Sequence, residues 1–182
     1  ASYDHVELCL DVSEKPSRKQ FEPFIGRIRI VDCPGYGSPY FANEDIIISY
    51  IEKSNFTFWM TPHTKIGGAE AEKHLSLIKK NTSTLIPLIT KADTIPNDDE
   101  REKIKDDYYD QLSSYFRSRE PHFVSAIKFQ EAVEEEQKLK KEGRQTSDTF
   151  EKLRIDSGID WVVSAMHDCA TKQNVNQKKV ES

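Results

Sequence analysis

Three short stretches set polar residues directly after apolar runs. Residues 28–37 read IRIVDCPGYG: the apolar run climbs to Asp32, and the chain then breaks into Cys33-Pro34-Gly35-Tyr36-Gly37. A buried strand ends in this way when its tip meets a phosphate. Residues 85–93 read LIPLITKAD and deliver Thr90, Lys91 and Asp93, and residues 122–127 read HFVSAI and deliver Ser125, Ala126 and Ile127. A single aspartate after a strand carries little information, since Asp32 alone reads equally well as a strand-end cap. Lys91 and Asp93 alone read as an exposed loop pair worth little. Three such clusters on successive strands carry more, because ligands of layered α/β sheets sit at the carboxyl ends of the strands.

The elements that must position these clusters follow from periodicity. Residues 3–12 alternate, with Val6, Leu8, Leu10 and Val12 on one side and His5, Glu7, Cys9 and Asp11 on the other, which predicts a half-exposed strand. A polar, proline-bearing loop leads to a second strand at 26–32, expected antiparallel to the first. Helices are expected at 42–53 and 69–80, strands at 54–60, 82–90 and 122–127, and a helix after Asn97, which has Glu100 three positions on as in a capping box. Pro87 is awkward inside a strand because it removes a ladder donor. Residues 129–153 read as one charged helix without a wide apolar face, and Ser157 and Asp160 as the cap of a last helix carrying Ile159, Val162, Val163, Met166 and Ala170 inward. Trp59 and Trp161 read as core, and His63 and His74 as surface and helix-face residues rather than metal ligands. Alternating strands and helices imply an α/β layered domain with a mostly parallel sheet.

Composition narrows the classes. The 182 residues suffice for one domain, expected at 1–175 with a flexible tail at 176–182. A net charge of −5 argues against general nucleic-acid binding. Cys9, Cys33 and Cys169 are scattered, odd in number and form no CxxC pair, so neither a zinc site nor a disulfide framework is suggested. A cytoplasmic protein with reduced thiols, free or peripheral to a membrane, is the expectation.

The three clusters together resemble the P-loop GTPases. Asp-x-x-Gly, here DCPG, is similar to their second switch motif; TKAD to the guanine-specificity motif; and SAI to the later guanine loop. The separations, about 58 residues from Asp32 to Thr90 and about 32 from Asp93 to Ser125, fall in that family's range. Within it, LIPLITKADTIP resembles the septins, which also carry a proline in that strand, and VDCPGYG resembles septins and dynamin-related GTPases alike. The resemblance implies a three-layer fold, with a mostly parallel sheet and one antiparallel edge strand. It implies GTP or GDP with Mg²⁺ as cofactors. Asp32 would hold the metal and the Gly35 N–H would meet the γ-phosphate. Asp93 would accept from the guanine edge, the Lys91 stem would pack on the base, Thr90 would brace the loops, and the Ala126 N–H would reach the guanine oxygen beside Ser125 and Ile127. It further implies self-association through the nucleotide face and a membrane or cytoskeletal partner.

The family's phosphate loop, GxxxxGK(S/T), has no match, and no threonine precedes Thr57 to serve the first switch. Both would precede the strand at 3–12. Upstream residues are therefore expected in the full protein, and the family's first strand would lie between the strands ending at Asp32 and at residue 60. Tyr36 stands where small signalling GTPases place a water-orienting glutamine, so unaided hydrolysis is expected to be slow. The competing expectation is a pseudo-GTPase that serves as an assembly module without turnover.

Overall fold

The computed structural model describes residues 6–7, 30–33, 44–81, 84–116 and 120–180. Their strands form two sheets. Strands β1 (Val6–Glu7) and β2 (Val31–Asp32) pair antiparallel, with Val6 opposite Asp32 and Glu7 opposite Val31. Strands β3 (Thr57–Pro62), β4 (Leu85–Thr90) and β5 (His122–Phe123) form a parallel sheet in the order β3-β4-β5. Among the described residues the antiparallel pair is thus a sheet of its own rather than the edge of the parallel one.

Helices alternate with the parallel strands: α1 (Glu44–Lys53) before β3, α2 (Ala69–Asn81) before β4 and α3 (Asp98–Gln111) before β5. Their apolar stripes close one core in which Ile51, Leu75, Ile78, Ile104, Tyr108 and Leu112 surround Trp59, Leu85, Ile89 and Phe123. All five residues from Leu85 to Ile89 are buried, on both faces of the strand, as a central parallel strand requires. Asn97 caps α3 by accepting from the Glu100 N–H at 2.8 Å.

Pro87 is tolerated because of register. The Thr57 N–H donates to the Thr84 carbonyl, so even-numbered residues of β4 bond β3 and odd-numbered ones face β5. Strand β5 pairs with β4 only at Leu88 and Ile89. The missing N–H of Pro87 therefore falls on the β5 side before β5 begins.

The carboxyl-terminal third departs from the sequence expectations. The strand expected at 122–127 stops at Phe123, because Ser125 caps helix α4 (Ala126–Lys141). The expected single helix over 129–153 is two: α4 ends before Gly143, which is left-handed at φ 71°, and α5 (Asp148–Ser157) restarts behind its own cap Ser147. The two pack through Ala132, Leu139, Phe150 and Leu153, a stripe too narrow to show in the charged sequence. Ser157 ends α5 as well as opening the next helix, whose Ile159 N–H donates to the Ser157 hydroxyl at 3.3 Å. Its hydroxyl donates to the Arg154 carbonyl, and left-handed Gly158 (φ 65°) turns the chain into α6 (Ile159–Val180). Helix α6 runs through residues 176–180, where a tail is expected from the sequence; adding a turn to a nucleated helix costs little when the residues are Gln and Lys. Among the described residues no helix is long and apolar enough to cross a membrane.

Two contacts of this region yield predictions. A Cβ at Gly158 would collide with the Phe123 carbonyl oxygen, whereas one at Gly143 would meet nothing. Gly158→Ala should therefore cost more than ~2 kcal/mol, and Gly143→Ala only ~1 kcal/mol for its left-handed backbone. Urea unfolding of the pair checks this, and equal losses would contradict the packing difference. The second contact is the His122 ring, stacked on Trp161 of α6 at 3.2 Å. Desolvation pushes the His122 pKa below its ordinary value, with the Glu120 carboxylate opposing it. The unfolded chain therefore takes up this proton more readily. The stability involved is complete above the unfolded value of about 6.5 and is lost as pH falls from there toward the lower folded value. Acidification from pH 7.5 to 5.5 should lower the urea midpoint more in the unsubstituted protein than in His122→Phe.

Candidate functional site

Two loops at the carboxyl ends of β4 and β5 are laced together. The Val124 N–H donates to the Ile89 carbonyl at 2.8 Å, and the Ala92 N–H donates to the Val124 carbonyl at 3.2 Å. Beyond Thr90, Lys91 takes a left-handed conformation (φ 60°, ψ 36°), and Ala92–Thr94 forms a single 3-10 turn. Lys91 has the one positive φ of a non-glycine residue among the described residues. The reversal ends the strand sharply and carries Asp93 back toward the β5 loop.

Ser125 joins the two loops. It is fully buried, and its hydroxyl donates to Asp93 Oδ1 at 2.6 Å, the short length of a charge-assisted bond. The Ser125 hydroxyl oxygen also accepts the Lys128 N–H at 3.1 Å, which caps α4. Its backbone N–H donates to the Ser157 carbonyl at 2.9 Å, so the end of α5 braces the loop from behind. One serine thus holds the Asp93 carboxylate, starts α4 and receives the end of α5.

The charges around it are ordered. Asp93 is half-buried, and among the described residues no ion pair joins it to Lys91, whose side chain is exposed. The simple loop pair that TKAD could have been is therefore not what forms. Lys128 lies in the field of Asp93 and Asp156, and its pKa is raised above the ordinary value, chiefly by its bond to Glu131. Ala126 opens α4 in an exposed position, and Ile127 beside it is 57% exposed.

Of the residues singled out in the sequence, Asp93 and Ser125 are in direct contact, and Thr90, Lys91, Ala126 and Ile127 adjoin them in the chain. Asp32 is elsewhere, exposed at the end of β2 in the other sheet, and Gly35 lies outside the described residues. Cys33 follows Asp32. Desolvation and the Asp32 carboxylate push its thiol upward, so it is not an activated nucleophile. Among the described residues no group of three or more His, Cys, Asp or Glu could hold a metal ion by itself. Sequence reasoning read Ser157 as a helix cap and His63 as a surface residue, and gave neither of them, nor Gly158 and Thr94, a place in the site. The Ser157-Gly158 pair did carry a helix-stop signal, whereas His63 is joined to the site only by folding.

No protein-family model matches the chain, and no curated protein sequence matches it either.

The Ser125–Asp93 bond sets an expectation for stability. Ser125→Ala removes this bond and the α4 cap, and leaves a half-buried carboxylate oxygen unpaired. A loss of about 1–3 kcal/mol is expected in urea unfolding. Asp93→Ala should cost less in that background than in the unsubstituted protein. Strict additivity of the two would contradict the coupling.

Proposed function

We propose that the paired loops Thr90–Asp93 and Ser125–Ile127 form the base-recognition site of a guanine-nucleotide-binding domain of P-loop GTPase type, septin-like or dynamin-like. The observation that carries this reading is the 2.6 Å bond from Ser125 Oγ to Asp93 Oδ1, which unites the two motifs that the resemblance assigns to guanine. A carboxylate held by one oxygen keeps acceptor capacity on the other. Guanine offers an N–H and an NH₂ side by side on its Watson–Crick edge, and a carboxylate accepts both. Adenine presents an acceptor at that place and would leave Asp93 unsatisfied, which is costly in a half-buried site. The exposed Lys91 stem can cover the base plane, and the start of α4 offers the Ala126 N–H to the guanine oxygen.

The phosphate side belongs to the same proposal. Asp32 is an exposed carboxylate at a strand tip, which suits a Mg²⁺ ion that takes one carboxylate and otherwise water and phosphate oxygens. Such an ion would neutralise phosphate charge during GTP hydrolysis. Gly35 would supply its backbone N–H there. Among the described residues β1-β2 and β3-β4-β5 are not paired with each other, which is compatible with the family arrangement, in which another strand stands between them. Tyr36 has no amide to orient water, so hydrolysis in this reading depends on another group or on self-association across the nucleotide face.

The test is a fluorescent-nucleotide titration of the full-length protein. GTP and GDP should bind in preference to ATP, and Asp93→Asn should weaken GTP by about ten- to a hundredfold, the worth of hydrogen bonds to a charged acceptor. Equal binding of GTP and ATP would overturn the guanine assignment.

A further inference from the structure

His63 occupies the first position after β3, in the short 3-10 turn His63–Lys65. Its Nε2 lies 2.8 Å from Thr94 Oγ1, thirty-one residues away in the chain. Thr94 Oγ1 in turn donates to the Lys91 carbonyl at 2.9 Å. A hydroxyl has one proton, and a carbonyl can only accept. The Thr94 proton is therefore committed to Lys91, so the hydroxyl accepts from His63, and Nε2 must carry the hydrogen. This assigns the ring as its Nε2–H tautomer or as imidazolium; both donate in the same way.

The relay ends on the most constrained peptide of the site. Lys91 is left-handed, a conformation that a side chain disfavours. Its carbonyl receives two bonds from Thr94, one from the backbone N–H at 3.0 Å and one from the hydroxyl. The peptide so fixed leads directly into Ala92 and Asp93. Ser125 thus holds the Asp93 carboxylate by one oxygen, and Thr94, itself bonded to His63, holds the Lys91–Ala92 peptide just before it. The His63–Thr94 bond is exposed, so it contributes little to global stability. Its effect is on the local order of the turn.

We propose that His63 is a positioning residue for base recognition, holding the Lys91–Thr94 turn through Thr94 so that Asp93 meets the purine edge in one orientation. This rests on the guanine reading of the site. Hypoxanthine keeps the guanine ring N–H but lacks the 2-amino group, so discrimination between GDP and IDP reports how well Asp93 is aimed.

The experiment compares GDP and IDP binding to the full-length protein with His63→Ala, Thr94→Val, the double variant and His63→Gln, alongside hydrogen exchange at the amides of 92–94. In His63→Ala and Thr94→Val, GDP should bind about three- to tenfold more weakly, the worth of one hydrogen bond. The GDP-to-IDP ratio should narrow and the three amides exchange faster. The double variant should be no worse than the single ones. His63→Gln, whose side-chain amide can still donate, should recover most of the loss. Unsubstituted protein that binds GDP, with His63→Ala matching it in affinity and ratio, overturns the positioning role alone. Equal weakening of GDP and IDP at unchanged exchange overturns it too. Unsubstituted protein that fails to bind GDP overturns the guanine reading, and this role with it.

Discussion

The geometry at the strand ends depends on the bonding of Ser125. Its hydroxyl both donates to Asp93 and accepts from the first turn of α4, and its N–H is taken by the end of α5. A buried hydroxyl bonded on both its donor and its acceptor side is held in orientation, and it transfers that orientation to the carboxylate it bonds. Remove it and three things loosen together: the aim of Asp93, the start of α4 and the seat of α5. The constraint is local, yet it joins elements far apart in sequence.

The remainder of the fold keeps that serine in place. Strand β4 is buried on both faces and carries the Thr90–Asp93 turn at its carboxyl end. Strand β5 is only two residues long, so it cannot orient its loop by ladder bonds alone. The deficit is met from behind, by Ser157 and by the close approach of Gly158 to the Phe123 carbonyl. Both ends of the α4–α5 hairpin thus converge on one residue: α4 begins beside Ser125, and α5 ends against its N–H. A hairpin that could have been a peripheral decoration is mechanically continuous with the candidate site.

How far the sequence announced this can be judged residue by residue. The strand tips at Asp32 and Thr90 were legible because an apolar run that stops at a polar cluster is a local signal, and the Asn97 cap by its residue type and spacing, whereas Ser125 proved to be a helix cap beyond the end of β5. The contact between Asp93 and Ser125 lay within reach only through the resemblance, since nothing local pairs two residues thirty-two positions apart. The break in the charged helix was present as Gly143 and Ser147, but a continuous run of Glu, Lys and Gln outweighed it. Ser157 was legible as a cap for the helix beyond it, whose Ile159 N–H it accepts, whereas its part in ending α5 depends on left-handed Gly158. The His63 relay had no sequence signal, because it depends on β3 and β4 lying in register.

The central claim is that the two loops bind a guanine base together, and it is tested most directly by the amide resonances of the full-length protein during nucleotide addition. If the claim holds, GDP shifts the amides of Ala92, Asp93, Ser125 and Ala126 as one group, with a common midpoint, and ADP at the same concentration leaves them in place. Shifts confined to one loop, or equal responses to GDP and ADP, would contradict it.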